Sequence, residues 1–157
     1  MSARIVAAAR GAVGTPFRLH GREPATGLDC VGLAAWALKA GGFAGAVPSG
    51  YRLRGGDAAR VAALVEAGGM VRVADARPGD LVLAVSGAGQ LHLAVATCGG
   101  FVHADAMLRK VVERPGAVPW PVIGRWRLRS DSGALTQTLP SHRFAMCPSL
   151  SPEGERG

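Results

Sequence analysis

Apolar residues recur along this 157-residue chain with two periods, and the change from one to the other divides it. Up to Ala67 the spacing is helical. Ile5, Val6 and Ala9 share one side of a run from Ser2, its expected N-cap, to about Ala12. Gly14-Thr15-Pro16-Phe17 ends that run. A second, Val31 to Leu38, follows the loop Gly21–Gly27 and stops at Gly41-Gly42, a C-terminal cap signal. Asp57 caps a third helix to Ala67, with Val61, Leu64 and Val65 on its apolar side. From Met70 onward the apolar runs are short and cut by turn residues. Residues 70–73, 81–85, 91–97, 101–104, 111–113 and 122–128 read as strands, and Cys98-Gly99-Gly100 reads as a hairpin turn. Helices followed by an antiparallel meander predict an α+β domain, its N-terminal helices packed on an antiparallel sheet of about five to six strands. This domain should span residues 1–129. Residues 130–157 hold Ser, Pro, Gly and Thr without periodicity and are expected to be a disordered tail.

With 48% hydrophobic and 18% charged residues, the composition is that of a globular chain with one core. The formal charge is +7. The tail carries Arg143 and Arg156 against Asp131, Glu153 and Glu155, so the positive charge belongs to the domain. Such a surface attracts anionic polymers. No basic stripe is interleaved with aromatics, which argues against a nucleic-acid partner. The apolar runs at 81–85 and 91–97 are too short to span a bilayer, which argues against a membrane partner. Met1-Ser2-Ala3-Arg4-Ile5 lacks the apolar core of a secretory signal, so synthesis in the cytoplasm without a signal peptide is expected. Three cysteines, Cys30, Cys98 and Cys147, suggest neither a disulfide framework nor a C-x-x-C metal site.

Asp29-Cys30-Val31-Gly32-Leu33 changes this picture most. It sets a cysteine where a loop becomes an apolar helix, and unpaired backbone N–H groups at a helix start lower a thiol's pKa. A structural buried cysteine is the competing reading. A nucleophilic thiol needs a base, and the base needs a group to hold its ring. His92 interrupts the apolar strand Leu91-His92-Leu93-Ala94-Val95, and alternation puts it on one face with Ala94 and Ala96. If the hairpin centres on Cys98-Gly99, His103 falls opposite Ala94 and diagonal to His92 on that face, within reach of its imidazole. A slip of one residue would separate them. For each histidine a merely structural role stays open. His20 is expected in a loop that could line the cleft near Cys30, and His142 is set aside with the tail. No pair of these ligand types has metal-site spacing, so neither metal nor cofactor is expected.

These residues, in order, resemble the signature of the NlpC-type cell-wall peptidases: Gly14-Thr15-Pro16-Phe17, Gly21, Leu28-Asp29-Cys30-Val31-Gly32-Leu33, Arg77-Pro78-Gly79-Asp80-Leu81, Leu91-His92-Leu93-Ala94-Val95 and Gly100-Phe101-Val102-His103-Ala104. The match covers about residues 3–128. It implies a papain-like fold and a thiol endopeptidase acting on peptidoglycan stem peptides, at the bond between D-glutamate and a diamino acid. Cys30 would be the nucleophile, His92 the base and His103 the orienting third member. Asp29 would cap the helix or pair with an Arg, and Phe17, His20 and Asp29 would border the cleft. The shape is most similar to the branch encoded with tail proteins of phages and gene transfer agents, which implies tail proteins as partners and a virion-associated enzyme acting in the wall. Phe17 stands where the family usually has Tyr, and Val31 where Ser is common. The rival expectations are a catalytically silent tail component and a papain-like amidase or acyltransferase.

Overall fold

The computed structural model describes residues 1–49, 51, 52 and 54–129. The expected tail lies outside the described residues. Helix α1 spans Ser2–Gly11. Ser2 is its first helical residue rather than its cap: Met1 takes the N-cap position, with no side-chain hydrogen bond. A two-stranded ribbon that the sequence pattern missed, β1 (Arg22–Glu23) and β2 (Gly27–Leu28), turns the chain into α2 (Cys30–Ala40). Strands of two residues leave no periodicity to read. Helix α3 spans Ala58–Ala67, and the Asp57 side chain accepts from the Ala59 and Arg60 N–H groups as its cap.

Six strands follow: β3 (Met70–Arg72), β4 (Leu81–Val85), β5 (Leu91–Thr97), β6 (Gly100–Asp105), β7 (Lys110–Pro115) and β8 (Val122–Leu128). They form one antiparallel sheet in the order β3-β8-β4-β5-β6-β7. The α+β expectation holds, and the strand count is the upper of the two expected. β5 is buried along its whole length, which explains why its sequence is nearly continuous in apolar residues. α2 is also buried along most of its length, with Trp36, Lys39 and Ala40 exposed. It packs against α1, the β1–β2 ribbon, β5 and β6. A helix apolar all round belongs inside, and α2 is this domain's central element.

Close backbone contact seats the start of α2. A Cβ built on Gly32 would lie 1.9 Å from the Gly21 carbonyl oxygen, and one on Gly21 would lie 2.2 Å from the Gly27 carbonyl oxygen. Backbone on both sides cannot give way as a flexible side chain could. Gly32→Ala should therefore shift the first turn of α2 and destabilise the fold by roughly 1–3 kcal/mol. A denaturant midpoint equal to that of the wild type would refute this.

Candidate active site

Asp29 builds the site from below. Its side chain is fully buried and caps α2 by accepting from the Gly32 N–H at 2.8 Å. The other carboxylate oxygen accepts from the His20 N–H at 2.8 Å and from the Tyr51 hydroxyl. Arg22 stands 3.9 Å from the carboxylate and donates to the Tyr51 hydroxyl at 3.2 Å. Asp29 thus does both things expected of it, capping the helix and facing an Arg. Burial and the neighbouring carboxylate push the Tyr51 phenol up. His20 adopts a left-handed backbone, φ 60°, while its ring Nε2 lies 3.0 Å from the Tyr51 carbonyl oxygen.

Cys30 is 1% exposed and a free thiol. Cys98, in the β5–β6 turn, is disulfide-bonded. The helix start does not lower the Cys30 pKa as expected. Burial, aided by the neighbouring Asp29 carboxylate, pushes the thiol up to about 12, outweighing backbone hydrogen bonds at Leu93, Val31 and Cys30 itself that favour the thiolate. The contact with Leu93 has a topological cause. β5 and β6 pair only from Val95↔Val102 to Thr97↔Gly100, so the first half of β5 is unpaired on that side and the thiol meets its backbone there.

The same register, continued, sets His103 opposite Ala94, as the hairpin argument required. His92 Nε2 lies 2.8 Å from His103 Nδ1, with the rings edge to face. Trp120, in the β7–β8 connection, stacks edge-on to both, its ring centroid 5.0 Å from that of His92 and 5.3 Å from that of His103. Burial, then the neighbouring His103, lowers the His92 pKa to about 4, while Asp105 opposes the shift. The resting pair is therefore neutral imidazole and neutral thiol. The structure joins the two histidines and puts Cys30 against the residue after His92; no hydrogen bond runs from the thiol to either ring.

The low pKa of His92 has a consequence for stability. Unfolded, this histidine takes up a proton near pH 6.5, but folded it resists until about pH 4. The unfolded state binds more protons between those values, so stability should fall as pH drops from 6.5 towards 4. The loss should be on the order of 2–3 kcal/mol. His92→Phe should flatten this slope in pH-dependent denaturation; an unchanged slope would refute the assignment.

A cavity of about 290 Å³ reaches Cys30 from the side of α3. Its walls are mostly apolar, among them Leu38, Phe43, Leu64 and Leu83, with Tyr51 and Arg52 also on the lining. Phe17, His20 and Asp29 do not line it. Phe17 is half-buried against the core and bridges to Leu28. Sequence reasoning missed Arg22, Tyr51, Asp105 and Trp120. Tyr51 is the chain's one tyrosine and brings to Asp29 the kind of hydroxyl that Phe17 lacks, but a loop residue's partner cannot be read from spacing.

No family model matches the chain, and no curated protein does. Solved structures do. The domain of the peptidoglycan hydrolase SagA is 28% identical with a TM-score of 0.51, covering 73% of this chain and 89% of that one. The fold is that of an NlpC/P60 domain. The P60 domain of the Mycobacterium avium subspecies paratuberculosis antigen MAP1204 is 19% identical, TM-score 0.54, covering 81% and 93%. NlpC2 of Trichomonas vaginalis is 17% identical, TM-score 0.59, covering 80% of this chain and 47% of that one. Structural neighbours that are NlpC/P60 peptidoglycan hydrolases support the family the sequence resembles.

Proposed function

We propose that this protein is a cell-wall hydrolase that cleaves peptidoglycan stem peptides with Cys30, His92 and His103. The observation that carries this reading is the 2.8 Å His92–His103 contact beside a free thiol at a helix start. The NlpC/P60 hydrolases among its structural neighbours support it. His92 Nε2 is engaged by His103, which leaves Nδ1 as the base. Since thiol and imidazole rest neutral, the proton passes from Sγ to Nδ1 as sulfur attacks the carbonyl carbon. The backbone N–H of Cys30 at the helix start stabilises the oxyanion. His92 then returns the proton to the leaving amine, and water hydrolyses the thioester to the acid. Contacts of this kind are often long before substrate binds and tighten in the complex.

The finer reading is a bond between D-glutamate and a diamino acid, in an enzyme associated with phage-like tail proteins; the residue resemblance supports it. Net positive charge would raise the encounter rate with an anionic wall. Mass analysis of fragments released from purified sacculi tests the proposal and names the bond. The apolar cavity at Cys30 favours a second reading, an amidase or acyltransferase taking an apolar acyl group. Release of product from medium-chain acyl anilides, with sacculi left intact, would select it. No turnover of either by folded protein would point to a silent structural component.

A further inference from the structure

Asp105 ends β6, two residues after His103, and its carboxylate is divided between two tasks. Oδ1 accepts from the Met107 and Leu108 N–H groups at 2.8 and 3.0 Å, which pins the β6–β7 turn. Oδ2 faces inward, 3.8 Å from His103 Nε2. That nitrogen is the single buried side-chain polar atom without a hydrogen-bond partner among the described residues. His103 itself is 2% exposed.

The neutral histidine pair has two ways to place its protons. Either both rings carry hydrogen on Nε2, so that His92 donates to His103 Nδ1, or both carry it on Nδ1, so that His103 donates to His92. In the second arrangement a lone pair on His103 Nε2 would face the Asp105 carboxylate. In the first an N–H faces it. We propose that Asp105 is a positioning residue: its carboxylate selects the tautomer with both protons on Nε2, which leaves His92 Nδ1 free to take the thiol proton. The proposal rests on the hydrolase reading for its catalytic meaning and on geometry alone for the tautomer. When His92 becomes cationic, its charge is shared along the chain His92–His103–Asp105.

Other groups face the pair without making the same selection. Burial is the main cause lowering the His103 pKa; Asp105 opposes it, and Arg114, from β7, adds to it. The Arg114 guanidinium lies 5.9 Å from the Phe101 ring and 6.0 Å from that of Trp120. Trp120 is uncharged, and α2 contributes the neutral thiol at the β5 backbone. Among the described residues, Asp105 is the one anion that an ion pair or a charge effect sets against either ring.

The test is imidazole nitrogen NMR on the full chain, comparing wild type with Asp105→Asn and Asp105→Ser. In Asp105→Asn the two turn N–H groups retain the amide oxygen, so the amide NH₂ faces His103 and favours the reversed tautomer. In Asp105→Ser the hydroxyl keeps the turn but nothing faces the ring. Wild type should show hydrogen on Nε2 of both rings, and Asp105→Asn should move it to Nδ1. Asp105→Asn should lower kcat roughly 100-fold with KM within about twofold, less than the roughly 10⁴-fold for a carboxylate touching the base itself. Both variants should carry the acid limb of kcat/KM to lower pH, since the lost carboxylate favoured the charged rings. A purely structural role would lower thermal stability and leave tautomers and limb in place. Wild-type spectra with hydrogen on His103 Nδ1, or unchanged tautomers in Asp105→Asn, would overturn the proposal. Expected spectra from a protein that releases nothing from sacculi would overturn the hydrolase reading alone.

Discussion

Cys30→Ala releases no stem-peptide fragments from sacculi under conditions in which wild type does, a loss on the order of 10⁴–10⁶-fold. The size follows from the chemistry. Without Sγ there is no thioester, and His92 has no proton to take. The fold survives because the side chain is small, 1% exposed and part of the apolar core, so truncation costs only about 1–2 kcal/mol. A second readout separates the thiol from the cavity it leaves. The unfolded thiol ionises near pH 9, but burial keeps it protonated in the fold up to about 12. The folded state then binds more protons, so wild type should lose stability as pH rises from 9 towards 12. Cys30→Ala should lack that loss. Fragment release by Cys30→Ala would end the thiol mechanism, and an alkaline slope identical in both proteins would end the account of the buried thiol.

Asp29→Ala should be the most damaging single substitution for stability, at roughly 3–5 kcal/mol. Three donors lose their acceptor at once: the Gly32 N–H inside the helix start, the His20 N–H and the Tyr51 hydroxyl. Arg22 loses the carboxylate it faces. A cap alone is worth about 1 kcal/mol, so most of the cost comes from buried groups left unpaired. The melting temperature should fall by roughly 10 °C or more. Activity should fall beyond what unfolding explains, because Asp29 sets the first turn of α2 and the next residue is Cys30. Asp29→Asn should recover part of the stability, since its amide oxygen can still accept from Gly32. A melting temperature within 2 °C of wild type for Asp29→Ala would contradict this account.

Much of the domain was legible along the chain. β4, β5 and β8 begin and end where the apolar runs do, at 81–85, 91–97 and 122–128. Those runs are bounded by turn chemistry, and a pattern with period two or a continuous buried run survives almost any tertiary setting. The His92–His103 pair was legible for the same reason. Hairpin register follows from turn length, and with Cys98-Gly99 at the turn it brings the two rings to one face. The short ribbon β1–β2 was not legible, nor was Tyr51, whose partner Asp29 is 22 residues away across loops.

The sequence by itself determined the order of the three helices and the six main-sheet strands, the position of a thiol at a helix start and, given a turn centred on Cys98-Gly99, the register that pairs the histidines. Each is a local property, set by spacing within a turn, a strand or a hairpin. Only the tertiary structure decided the electrostatics. It buried Cys30 so deeply that desolvation reversed the expected effect of the helix start, and it lowered the His92 pKa to about 4. It also opened β5 from β6 beside the thiol and left Asp105 aimed at the unpartnered nitrogen of His103. Burial and long-range charge depend on what the rest of the chain places around a group, and no spacing along the sequence records that.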